Sequence, residues 1–210
     1  MLARRSWARR AATLAAAGLI GPIGPIALIG PIALLPAVAA AQPAAATLAI
    51  CEACHGPGGN SQIPQTPSLA AQPKLFIETQ LVLIREGLRD VPVMKDVMAG
   101  MSDEAVIALA VHYAAQPLQP KAVTAKADSA RLGAEISRKL LCGTCHLPDY
   151  RGQQQVPRLA GQDEAYLLHS MKQFRDNPGP GRDTIMASTL RGLSDADLAH
   201  LAHYFAAAKP

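Results

Sequence analysis

The sequence predicts an all-α fold made of two small helical domains in tandem. Residues recur at helical spacing in Leu75, Phe76, Thr79 and Leu83, and again in Tyr166, Leu167, Met171 and Phe174. No stretch sustains the two-residue alternation of a strand. From residue 42 onward the chain also repeats itself, and a repeat on this scale marks a duplicated structural unit.

The repeat is anchored by Cys51-Glu52-Ala53-Cys54-His55 and its second copy, Cys142-Gly143-Thr144-Cys145-His146. Downstream of His55 come Pro64 and then Pro67-Ser68-Leu69-Ala70-Ala71-Gln72. Downstream of His146 comes Pro157-Arg158-Leu159-Ala160-Gly161-Gln162. Helical segments are expected over 72–86 and 162–175, and the repeated motifs Ile84-Arg85-Glu86-Gly87 and Phe174-Arg175-Asp176-Asn177 overlap their ends. Met94 then precedes Ser102-Asp103-Glu104, and Met186 precedes Ser194-Asp195-Ala196-Asp197. Ser102 and Ser194 read as helix N-caps, with acidic residues in the first turn opposite the positive end of the helix dipole. Alanine-rich helices over 105–116 and 198–208 close the two copies. A further helix over 130–141 leads into the second Cys-x-x-Cys-His run, whereas the helix before Cys51 is short, 43–50. The domains are accordingly 42–118 and 130–210, joined by an extended linker over 119–129 that follows Pro117 and contains Pro120.

Cys-x-x-Cys-His is the attachment signature of haem c. Two thiols separated by two residues reach the two vinyl groups of the porphyrin, and the histidine that follows is held under the ring as an iron ligand. A redox dithiol has no need of the trailing histidine. Zinc pairs lie about 15–20 residues apart, whereas Cys51 and Cys142 are 91 apart. All four cysteines fall in the two runs. The expected attachment residues are Cys51, Cys54, Cys142 and Cys145, and the expected proximal ligands are His55 and His146.

The distal ligand decides the chemistry. An open position permits oxygen or peroxide reactions, whereas a methionine sulfur closes the iron and raises its potential. Met94 lies 39 residues after His55 and Met186 lies 40 after His146, each eight residues before its capping serine. Met186 has no rival in its loop, while Met94 competes with Met98 and Met101. The carbonyl of Pro67 or Pro157 is placed to accept from the ligand histidine's other ring nitrogen. Arg85 and Arg175 face either haem propionates or solvent. His112, His169, His200 and His203 lie on expected helices as surface or packed residues.

Only 4% of the residues are aromatic, which is thin for two small cores. A haem in each domain supplies the missing apolar bulk, and domains of this size need such a staple. The formal charge of +4 resides in Arg4, Arg5, Arg9 and Arg10, so the remainder balances at 16 basic and 16 acidic residues. That balance excludes a nucleic-acid footprint.

Residues 1–41 read as an export address. A basic start, an uncharged and mostly apolar stretch, and small residues Ala37-Val38-Ala39-Ala40-Ala41 fit a signal peptide cleaved after Ala39 or Ala41. An uncleaved membrane anchor is the rival, since about 20 residues suffice to span. Three Gly-Pro-Ile units interrupt such a helix. Either way the folded part is expected in the periplasm, with membrane association possible only through this segment.

These residues resemble the di-haem cytochromes c of the cytochrome c4 type, which are two fused class I cytochrome c domains. The resemblance covers nearly all of residues 45–210. It rests on CEACHGPGGNS, CGTCH, PSLAAQ, PRLAGQ, FRDN, the paired methionines and the LSDADLAHLAHYF ending. It implies a periplasmic electron carrier with two haem c groups, no catalytic residues of its own, and redox protein partners: quinol–cytochrome c reductase, a terminal oxidase or a dehydrogenase. A haem subunit fixed to a flavin- or quinone-cofactor dehydrogenase is the first alternative. A di-haem peroxidase or thiosulfate-oxidising cytochrome is the second. The chain departs from the family pattern at Ala71, which replaces a glycine, and at His112, which replaces a tyrosine. The second copy also has Leu-Pro-Asp-Tyr-Arg-Gly after His146 instead of a glycine-rich run.

Overall fold

A computed structural model describes residues 42–209. The leader or anchor expected over 1–41 lies outside the described residues. No strand forms among the described residues; one isolated antiparallel bridge pairs Gln153 with Val156. No described helix is long and apolar enough to cross a membrane.

The first copy contains α1 (Ala45–His55), a 3-10 turn (Pro57–Gly59), α2 (Lys74–Arg85), α3 (Pro92–Met98) and α4 (Asp103–Ala114). The second contains α5 (Ala127–Lys139), α6 (Cys142–His146), α7 (Glu164–Asp176), α8 (Thr184–Leu190) and α9 (Asp195–Ala207). The short helices α3 and α8, which carry Met94 and Met186, were not expected from periodicity, because seven residues hold too few apolar positions to show one. The helix expected over 130–141 starts earlier, at Ala127, and stops at Lys139. Leu141 then takes a left-handed backbone, so the second Cys-x-x-Cys-His run sits on its own helix.

Both capping serines act as expected. Ser102 Oγ accepts from the Ala105 N–H at 3.3 Å. Ser194 forms a full capping box, accepting from the Asp197 N–H at 3.1 Å while its own N–H donates to Asp197 Oδ2 at 2.9 Å. In the second copy, Leu167 and Met171 of α7, Leu190 of α8, and Leu198, Leu201 and Phe205 of α9 form one buried cluster. The first copy splits its core in two, around Ile77, Leu109 and Tyr113 and around Ile84, Met98 and Val106.

Helix α5 crosses α9 at Gly133, where a Cβ would lie 2.3 Å from the His200 carbonyl oxygen and 2.5 Å from Tyr204 Cβ. Only glycine permits that approach. The shorter α1 packs on the Pro57–Gly59 turn, and α2 packs on α4. The change after His146 has a packing reason. Gly59 and Tyr150 are equivalent, since the carbonyl of each accepts two N–H groups from the segment after the proline. In the first copy Tyr113 fills the space beside Gly59, 2.7 Å from where a Cβ would be. In the second, Tyr150 fills it and packs edge-on against Phe205 at 4.9 Å.

Polar contacts tie the two copies together. Asp163 caps α7 by accepting from the Tyr166 N–H at 2.8 Å, and the same oxygen accepts from the Gln65 N–H of the first copy at 3.0 Å. Its other oxygen meets Lys121 Nζ at 2.8 Å. Arg158 is 2% exposed and crosses the boundary, donating to the Ala70 carbonyl at 3.0 Å and to that of Ala160. Burial pushes its pKa down to about 10, so it stays charged at neutral pH.

Candidate haem sites

Helix α1 ends on His55 and α6 ends on His146, and the two imidazoles are only 7% and 3% exposed. Each Nδ1–H donates to a proline carbonyl at 2.8 Å, His55 to Pro67 and His146 to Pro157. That bond fixes the tautomer and leaves Nε2 with its lone pair free for a metal. Burial pulls both histidines below their ordinary pKa, against the opposing effect of the carbonyl bond. The neutral form is the one that binds iron.

The four cysteines form no disulfide. Cys51 and Cys142 are half-buried, while Cys54 and Cys145 are exposed. Burial pushes the Cys51 and Cys142 thiols up in pKa. Spacing of three within one helical segment puts both sulfurs of a pair on the same side. The two pairs do not converge: among the described residues no group of three or more His, Cys, Asp or Glu side chains gathers as a metal site would require. A cavity of about 270 Å³ opens beside Cys51, lined by Ile50, Val97, Met101 and Ala105. Free thiols beside an imidazole whose Nε2 is free, in both copies, fit a covalently held haem.

Met94 and Met186 hold the same place, the third residue of α3 and of α8, and both are half-buried. Asp183 caps α8 by accepting from the Met186 N–H at 2.9 Å, while Pro92 starts α3. Met98 is 1% exposed within a core cluster and corresponds to Leu190, which is 2% exposed. Met101 corresponds to Leu193, and both pack against their cores. The rivals of Met94 therefore have leucine counterparts, whereas Met94 has a methionine counterpart.

Arg85 and Arg175 are committed within the protein. Arg85 donates to the Met101 carbonyl at 2.8 Å and pairs with Asp103 at 2.8 Å. Arg175 repeats this with the Leu193 carbonyl at 2.9 Å and Asp195 at 2.7 Å. Each arginine thus ties the end of one long helix to the start of the closing helix and fixes the loop that carries the methionine. The recurrence in both copies of an arginine upstream of a Ser-Asp pair, 17 residues apart in the first and 19 in the second, was the available signal for this clamp.

The remaining histidines have other surroundings. His203 Nε2 accepts from the Lys126 N–H at 3.3 Å and its Nδ1–H donates to Glu164 at 3.2 Å, which anchors the chain entering α5. His200 Nδ1 is 3.2 Å from Ser129 Oγ, and His169 is exposed. His112 lies edge-on to Tyr113, and among the described residues its buried Nε2 meets no hydrogen-bond partner. Its counterpart Tyr204 reaches Tyr150 Oη at 3.3 Å, a partner that Gly59 cannot supply.

Comparison with known proteins agrees with this geometry. The profile of the family described as Cytochrome c matches residues 130–209. Cytochrome c4 of Pseudomonas aeruginosa is 30% identical over 174 residues, covering 78% of this chain and 86% of the relative. A thiosulfate dehydrogenase electron acceptor of Thiomonas intermedia is 31% identical, covering 80% of this chain and 81% of that protein. The structure of reduced recombinant cytochrome c4 from Pseudomonas stutzeri superposes with a TM-score of 0.73 at 29% identity, over 80% of this chain and all of that one. The all-α architecture, the haem c signatures and this level of identity over most of both sequences establish that the chain belongs to the cytochrome c4 family of c-type cytochromes.

Proposed function

We propose that this protein carries single electrons through two covalently bound haem c groups, each held between a histidine and a methionine. The observation that supports it best is the duplicated proximal geometry: a buried imidazole, oriented by a proline carbonyl at 2.8 Å, directly after a Cys-x-x-Cys pair in both copies. Bound haem c supplies a one-electron iron couple. In this reading Cys51, Cys54, Cys142 and Cys145 attach the two groups, and His55 and His146 bind the irons. Met94 and Met186 would each supply the second ligand to a bound haem, and sulfur ligation of that kind favours electron transfer over oxygen or peroxide chemistry. The Arg85 and Arg175 clamps hold the methionine loops in place. The domains run over 42–118 and 130–210 with the linker at 119–129.

Residues 1–41 direct export, and the mature protein works in the periplasm, passing electrons towards a terminal oxidase. A second reading, in which it accepts electrons from a dehydrogenase, is favoured by its 31% identity to a protein named as the electron acceptor of a thiosulfate dehydrogenase. Intact mass spectrometry of the exported protein tests the cofactor. The expected mass is that of the chain cleaved after Ala39 or Ala41 plus two haems. A cleaved chain with no added macrocycle would end the reading. Stopped-flow oxidation by a terminal oxidase, set against reduction by thiosulfate dehydrogenase, then separates the two partners.

A further inference from the structure

Two glutamines reach across the domain boundary reciprocally. Gln162 Oε1 accepts from the Ser68 N–H at 2.8 Å, and Gln162 Nε2 donates to the Ser68 carbonyl at 2.9 Å. In return, Gln72 Oε1 accepts from the Arg158 N–H at 2.9 Å, and Gln72 Nε2 donates to the Arg158 carbonyl at 3.1 Å. Both glutamines are buried. Each side-chain amide therefore closes a two-bond ring on one residue of the other domain.

The gripped residues are the ones next to the histidine acceptors. Ser68 follows Pro67, so the Ser68 N–H and the Pro67 C=O belong to one peptide unit. Its carbonyl takes the His55 Nδ1–H and its N–H is held by Gln162. The Pro157–Arg158 peptide stands in the same way between His146 and Gln72. A peptide whose N–H donates is polarised and becomes a stronger acceptor at its carbonyl. A stronger acceptor at Nδ1–H makes the imidazole a better electron donor to iron, which favours the ferric form.

We propose that Gln162 is a positioning residue for His55, and Gln72 for His146, so that each domain sets the donor strength of the other domain's haem ligand. Docking of the two domains thereby tunes both haems through two short hydrogen-bonded chains. This rests on the haem reading above. The frame is stiff: Gln162 Oε1 also accepts from the Asp163 N–H at 2.9 Å, and the Arg158 guanidinium braces the same strip at Ala70. A glutamine that merely glued the domains would alter docking without a signature at the opposite histidine.

The test uses the full-length protein with both haems and the variants Gln162→Met and Gln72→Met, which keep side-chain length without the amide. Three quantities are read in each: the potential of each haem, the Nδ1–H proton resonance of each ligand histidine in the reduced state, and hydrogen exchange at the Ser68 and Arg158 amides. For Gln162→Met, the N-terminal haem should rise in potential relative to the other, with about a two- to fivefold change in how the first electron is shared. The His55 Nδ1–H resonance should move upfield while that of His146 stays. Gln72→Met should reverse the pattern. If a variant undocks the domains, so that both amides lose protection, both histidine resonances should move. Loss of amide protection with the opposite histidine unmoved would overturn the proposal, as would a shift confined to the substituted domain. Failure of the haem reading is separate, since it would appear in the unsubstituted protein as the absence of two haem signals.

Discussion

Met98 stands in the place of Leu190: each ends its short helix four residues before a capping serine, and each is buried in the core. This equivalence separates the methionines of the first copy by role. Met98→Ala should cost about 2–5 kcal/mol of stability, as large-to-small core changes do, and leave the ferric near-infrared sulfur-to-iron band intact. Met94→Ala should lose that band for one haem, lower its potential and let it bind carbon monoxide. Met186→Ala should do the same at the other haem. Denaturant unfolding and near-infrared spectra of the three variants decide it; retention of the full band in Met94→Ala would remove Met94 as a ligand.

Ala71 carries a strain that its counterpart avoids. Its φ is +53°, in the left-handed region, where Gly161 of the second copy sits at +66°. The two positions are held alike, the Ala71 N–H on the Tyr113 carbonyl and the Gly161 N–H on the Phe205 carbonyl, both at 3.0 Å. Ala71→Gly should therefore stabilise the protein by about 1 kcal/mol, the steric relief exceeding the added freedom of the unfolded chain. Gly161→Ala should destabilise it, since the new Cβ would lie 3.1 Å from Leu118 and 3.2 Å from Pro120. Equilibrium urea unfolding measures both signs.

Asp163 links stability to pH. Burial acts to raise its pKa, but Lys121 and the N–H groups of Tyr166 and Gln65 outweigh it, so the carboxyl lies below its ordinary value of 3.8. A depressed carboxyl pKa contributes stability that is fully present above the unfolded value and is lost as pH falls through the folded one. Asp163→Ala should cost about 1–3 kcal/mol at neutral pH, from a lost cap and a lost charged hydrogen bond. The gap between variant and parent should close as pH drops below 3.8. A gap that persists in acid would assign the effect to packing instead.

Much of this architecture was legible because it is local and repeated. The capping serines, the Cys-x-x-Cys-His runs and the two prolines announce themselves through residue type and spacing, and the expected His55–Pro67 and His146–Pro157 bonds are both present. The contacts between the two domains were not legible. Gln72 and Gln162 were visible only as the last letters of a repeated pattern, because their partners Arg158 and Ser68 lie in the other copy. Arg158 itself looked like any loop arginine, and nothing in its neighbours foretells burial against backbone carbonyls. Asp163 corresponds to Pro73, so the repeat concealed its capping role. Tyr150 and Tyr113 show the same limit: their exchange of places is a tertiary compensation between segments far apart in sequence.

Removing the second attachment pair should have a structural as well as a spectroscopic effect. Cys142 packs against the core around Leu198, Leu201 and Phe205, so a haem tethered there belongs to the domain's packing. Cys142→Ser combined with Cys145→Ser should leave one covalent haem by mass and a C-terminal domain that is protease-sensitive while the N-terminal one holds. Two covalent haems in that variant would contradict the assignment.

One-electron carriage by two sulfur-ligated haems is tested by a potentiometric titration of the mature protein followed together in the visible and near-infrared. Two one-electron haem transitions are expected, both low-spin, each accompanied by loss of its share of the sulfur-to-iron band on reduction. A single transition, a high-spin ferric component or the absence of that band would contradict it.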